Sequence, residues 1–68
     1  MKNKKTVGIV IAKMRKNMEI TQEEFGKLFN RTRCNVSRWE RGTRFPTIQK
    51  YKEIQDVYNA FMEKKLEV

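Results

Sequence analysis

The apolar positions of this 68-residue chain fall into four helical stretches separated by short polar breaks. Val7, Ile11, Met14 and Met18 recur at spacings of four, three and four, the stripe of one helix face. Ile9 and Val10 lie outside that stripe, so the first helix is apolar over a wide arc. Thr6 offers an N-cap hydroxyl for a helix opening at Val7, and residues 1–6 before it read as a flexible basic arm. TQEE at Thr21–Glu24 has the form of a capping box. It predicts a second helix to about Phe29, with Phe25, Leu28 and Phe29 on its apolar side. Asn30 tolerates the left-handed conformation that ends a helix sharply. Thr32 then caps a third helix over Arg33–Arg41, with Val36 and Trp39 inward and Gly42 as its stop. Pro46 and Thr47 open a fourth, carrying Ile48, Tyr51, Ile54, Val57, Tyr58 and Phe61. The pattern leaves open whether this helix runs to Leu66 or breaks near Asn59.

These elements predict an all-α fold, a compact bundle of four or five short helices containing a helix-turn-helix. One domain is expected over residues 7–62, with 63–68 as a helix end or tail. So short a chain buries a small core, and dimerisation would add to it.

Charge sharpens the picture. The net charge is +8, and it is clustered. Residues 27–52 carry eight positive charges against Glu40 alone, while residues 53–68 are net negative. A basic surface in the middle of the chain points to a polyanion, most often nucleic acid. Enzyme chemistry finds little support. The chain has no histidine to act as a base or metal ligand, and its single cysteine has no histidine to activate it. It has no Gly-rich phosphate loop, and no cofactor is expected. VGIVIA is too short for a signal peptide core and nothing approaches membrane-spanning length, so no membrane association is expected. A lone cysteine fits a reducing cytoplasm.

Two short helices joined by about three residues, with the small residue Gly26 early in the first, form a helix-turn-helix layout. The run TQEEFGKLFNRTRCNVSRWERG followed by Pro46 resembles the Cro/phage-repressor, or XRE-type, helix-turn-helix class. The elements of the resemblance are Arg15, Thr21-Gln22-Glu23-Glu24, Gly26, Val36, Trp39-Glu40-Arg41-Gly42 and Pro46, and it spans roughly Val7 to Tyr58. It implies sequence-specific transcriptional control, most often by a repressor of a phage, plasmid or other mobile element. It also implies that the third helix enters the major groove of double-stranded DNA. Arg33, Cys34 and Arg38 match base-reading positions, with Asn35 and Ser37 beside them. Gln22 matches a residue that bonds a phosphate and steadies the reading helix, and Thr43 and Arg44 match a backbone-gripping loop. Arg31, Thr32 and Arg41 join the backbone set. Arg15 and Glu40 match a pair that bridges the first and third helices.

The spacing itself reaches a similar outward set. With Val36 and Trp39 inward, positions 33, 34, 37, 38 and 41 face out. An arginine there can grip guanine or phosphate, and only the first carries sequence information. The chain departs from the class at Asn30 and Glu19, both usual glycine positions, at Arg31, usually apolar, and at Leu28, usually polar. No fifth helix is recognisable in NAFMEKKLEV. A homodimer is expected, through Val57, Tyr58, Phe61 and Met62, with Ile9 and Val10 as further candidates. Two rival readings stand beside this one. The first is an antitoxin or other partner-binding module on the same fold, gripping a protein. The second is an RNA-binding protein, against which the lack of Gly-rich loops and exposed-looking aromatics counts.

Overall fold

The computed structural model describes residues 4–66, and the side-chain surroundings of residues 6–64. Its elements are α1 (Lys4–Asn17), α2 (Gln22–Leu28), α3 (Arg33–Arg41) and α4 (Ile48–Leu66). The fold is a small all-α bundle, as the periodicity predicts.

α1 begins at Lys4, so Thr6 sits in its first turn and does not cap a helix at Val7. Lysine is a good helix former, and the helix extends past the apolar stripe that marks its start in sequence. Residues 4–6 of the expected arm are therefore helical, while residues 1–3 lie outside the described part. At its other end, Met18 N donates to Met14 O at 3.0 Å, and Glu19 takes φ 60°. That left-handed turn explains why glycine would suit position 19. A non-glycine residue there costs about 1–2 kcal/mol.

α2 opens on the capping box. Glu24 N donates to Thr21 Oγ1 at 3.1 Å, and Thr21 N to Glu24 Oε1 at 2.8 Å. Its inward arc is Phe25, Gly26 and Phe29, all buried, with the two rings 4.9 Å apart and tilted by 55°. Leu28 falls roughly a third of a turn from that arc and is half exposed, contrary to the apolar role read for it. Asn30 is left-handed at φ 61°, and Arg31 N closes the turn on Gly26 O at 2.7 Å. A Cβ on Gly26 would lie 2.5 Å from Arg31 O, so the turn requires glycine there.

α3 packs against both α1 and α2 and is the centre of the bundle. The core is Ile11, Met14, Met18, Phe25, Phe29, Val36, Trp39 and Ile54. α4 runs unbroken through Leu66 and gives the core one fully buried side chain, Ile54. It is tied down by Asn17 Nδ2 donating to Tyr58 Oη at 3.0 Å and Lys50 Nζ donating to Phe29 O at 3.3 Å. Ile48 lies off its inward face and is 85% exposed, which removes it from the apolar stripe. Val57, Tyr58 and Phe61 pack partly buried against the protomer's own core, and Met62 is half-buried. The expected dimer residues thus serve the monomer as well, and Ile9 is the more open of the flanking candidates.

Candidate nucleic-acid interface

α3 is held at both ends and along one side, and its other side faces out. At its start Thr32 Oγ1 accepts from Asn35 N at 3.1 Å. At its end Gly42 adopts φ 82°, and Thr43 returns to Arg38 O through both its backbone N–H, at 3.1 Å, and its hydroxyl, at 3.3 Å. Both bonds converge on one of the carbonyl groups that a helix end leaves open. Along the inner side Val36 and Trp39 are buried.

A polar clamp fixes the remaining inward residue, Glu40. Arg15 Nε donates to Glu40 Oε2 at 2.7 Å and Arg15 Nη2 to Glu40 Oε1 at 3.2 Å, a two-pronged pair. Arg15 Nη1 also reaches Ile20 O at 3.0 Å, and Gln22 Nε2 reaches Glu40 Oε1 at 3.0 Å. The clamp therefore joins α1, the turn after it, the first residue of α2, and α3. Both side chains of the ion pair are largely shielded, at 16% and 9% exposure. The hydrogen bond to Glu40 holds the Arg15 guanidinium above its ordinary value despite partial burial, and the carboxylate charge adds to this. The steadying role that the resemblance implies for Gln22 has its geometry here.

On the outer side, Arg33, Cys34, Ser37, Arg38 and Arg41 line one shallow groove. These are the positions that the period of Val36 and Trp39 directs outward. Asn35 is not among them. Its side chain lies on the flank with Arg31, Arg44, Phe45, Thr47 and Lys50, and its Oδ1 is buried without a hydrogen-bond partner. The structure therefore separates Asn35 from the other candidate base readers, because position 35 lies about 60° beyond Arg38 around the helix, past the edge of the groove and toward α4. Among the described residues, none of Arg31, Arg33, Arg38, Arg41 and Arg44 has a carboxylate partner. Five unpaired guanidiniums on and beside one short helix make a strongly positive surface.

Three residues that position or border this surface are not marked by the sequence pattern. Gly8 is one: a Cβ there would lie 2.8 Å from Glu40 O and closer still to Trp39 O, so α1 crosses α3 at backbone contact. A glycine inside a helix costs about 0.5–1 kcal/mol relative to alanine, and that cost is the sequence signal of a close approach. Lys50 is the second, bonding Phe29 O and pairing with Glu53 at 2.9 Å. Phe45, 52% exposed, is the third. Nothing in the local pattern marks either of them.

Among the described residues no cluster of Cys, Asp or Glu is arranged to hold a metal ion. No helix there is long and apolar enough to cross a membrane. Comparison with protein-family models, with curated proteins and with solved structures finds no match for this chain.

Proposed function

We propose that this chain is a sequence-specific, double-stranded DNA-binding transcriptional regulator of the Cro/phage-repressor kind, acting as a repressor of a phage, plasmid or other mobile element. The observation that carries the proposal is the division of labour around α3. Its inner residues and both its ends are fixed, and three of its five outer residues are arginines that have no carboxylate partner among the described residues. A rigid helix with unsatisfied guanidiniums suits the major groove, which admits a helix and offers guanine O6 and N7 as paired acceptors. Arg33 and Arg38 are the proposed base readers, with Cys34 and Ser37 in contact beside them. Gln22, Arg31, Thr32, Arg41, Thr43 and Arg44 are the proposed backbone contacts. Gln22 keeps this role because an amide nitrogen carries two N–H donors and Glu40 uses one.

The nine residues of α3 span about 13 Å, the rise of about four base pairs. So short a reading head gives a poor address alone. Two copies on a two-fold symmetric operator, with half-sites about 10 bp apart, double it. Selection of bound duplexes from a random library tests the proposal. The expected result is a recurrent inverted repeat, bound less tightly as salt rises because each neutralised phosphate releases counterions. Recovery of no preferred sequence would overturn the regulator reading. Affinity indifferent to salt would overturn the electrostatic one.

A further inference from the structure

Beside the reading face lies a second depression, lined by Arg31, Asn35, Arg44, Phe45, Thr47 and Lys50. Its three cations come from three different places: the turn between α2 and α3, the loop between α3 and α4, and the first turns of α4. Like charges gathered from separate elements around one depression make it locally positive and favour an anion there. Arg31 and Arg44 have no carboxylate partner among the described residues, and Lys50 shares Glu53.

The donors also remain available. Arg31 spends one N–H, from Nη1, on Asn30 O at 3.2 Å. A guanidinium has five. Lys50 Nζ spends two of its three N–H on Phe29 O and Glu53 Oε1, which fixes its position and leaves the third. The Asn35 amide has an oxygen buried without a partner. With the oxygen turned inward, Nδ2 is the atom that carries the N–H donors of this amide. A site rich in donors and positive charge fits a ligand with acceptors only, and a phosphate group is such a ligand. The half-exposed Phe45 ring provides an apolar surface at the rim, suited to a sugar face next to that phosphate.

We infer that this depression is the seat of one phosphodiester of the duplex backbone, gripped jointly by Arg31 and Arg44, with Lys50 as a pre-positioned third donor. The inference rests on the duplex-DNA reading above and goes further by assigning both arginines to the same phosphate. It also moves Asn35 from base reading to backbone contact.

The test uses the full chain and a duplex recovered by selection, with single neutral methylphosphonates placed at each backbone position in turn. One position per half-site should weaken wild-type binding by about tenfold or more, the loss expected for charge-assisted hydrogen bonds. Arg31→Gln, Arg44→Gln and the double variant are then measured on the same duplexes, with circular dichroism confirming that each is folded. The slope of log affinity against log salt should fall by about one at most in the double variant and by less in either single variant, because a single phosphate is involved and either arginine alone still partly neutralises it. The methylphosphonate at the sensitive position should cost the double variant much less than it costs the wild type, the remainder being the Lys50 contact. Losses that multiply, with the slope falling by about two, would assign the arginines to separate phosphates and overturn the seat. Wild-type binding with no sensitive phosphate would overturn the seat and leave the DNA reading standing. Wild-type failure to bind any duplex would overturn both.

Discussion

Removing Arg15 tests whether the clamp under α3 is as important as its geometry suggests. In Arg15→Met the aliphatic stem is kept, and three hydrogen bonds disappear: two to Glu40 and one to Ile20 O. The Glu40 carboxylate, 9% exposed, is left with Gln22 alone. Breaking a buried pair by removing one partner costs about 3–5 kcal/mol, and the residual exposure here places the expectation near about 3 kcal/mol. A domain of this length has roughly 3–10 kcal/mol of stability in all, so the variant should lose from about a third to nearly all of it. Most of that loss is the stranded carboxylate. Glu40→Gln in the same chain should therefore restore part of it, because a neutral amide tolerates burial beside Gln22 better than an unpaired charge. The assay is urea denaturation of the two single variants and the double, read as a double-mutant cycle. The coupling should exceed about 1 kcal/mol and should change little with added salt, because screening acts mainly on exposed charges. Additivity to within about 0.5 kcal/mol would refute the clamp as an energetic unit.

Gly8→Ala should lower the melting temperature, although alanine is the better helix former, because the added methyl meets the Trp39 and Glu40 carbonyls. Overpacking of this kind costs about 1–3 kcal/mol, against a propensity gain of about 0.5–1, and a stabilised variant would show that α1 can shift. Glu24 gives a pH dependence. Its carboxyl is held below its ordinary value by the Thr21 backbone N–H, then by the Thr21 hydroxyl, with Lys27 adding to the effect. A lowered folded value means that the contribution is present above the ordinary glutamate range and is lost as pH falls through the folded value. The wild type should therefore lose more melting temperature on acidification than Glu24→Gln, and parallel curves would contradict this. Trp39→Ala should cost about 3–5 kcal/mol and abolish DNA binding through loss of the fold. Arg33→Ala and Arg38→Ala should melt as the wild type does and lose about 1–3 kcal/mol of binding on the selected site. Retention of full sequence preference in both would displace the reading head from this face.

Local chemistry made much of this fold legible. The capping box at Thr21–Glu24, the caps at Thr32 and Gly42, and the left-handed Asn30 are each decided by neighbouring residues, and each lies where the pattern puts it. The outward set on α3 follows from Val36 and Trp39 alone, since one helical period fixes every other position on so short a helix. Three kinds of feature were not legible. Helix ends without strong caps extend beyond their apolar stripes, as α1 does to Lys4 and α4 to Leu66. Side chains at the margin of an apolar arc, such as Leu28 and Ile48, depend on whether another element covers them, and none does here. Contacts between distant residues leave no periodic trace. Arg15 and Glu40 were paired only through the resemblance, and the link from Lys50 to Phe29 O was not anticipated at all.

These three kinds of feature bear differently on function. Of the nine residues of α3, Val36, Trp39 and Glu40 carry the helix's side-chain attachments to the bundle, and its ends are closed by Thr32, Gly42 and Thr43. Arg33, Cys34, Ser37, Arg38 and Arg41 form the groove on the far side and take no part in the core. Exposed substitutions away from core and caps usually change stability by no more than about 0.5 kcal/mol. The four exposed ones, Arg33, Cys34, Arg38 and Arg41, should therefore be replaceable with little change in the fold, whereas a methyl on Gly8 or the loss of Arg15 should move the helix that presents them. On the proposed reading, specificity and stability fall to different residues of one helix. The boundary between them runs along the flank, where Asn35 faces the cations of the turn, the loop and α4 and not the reading groove.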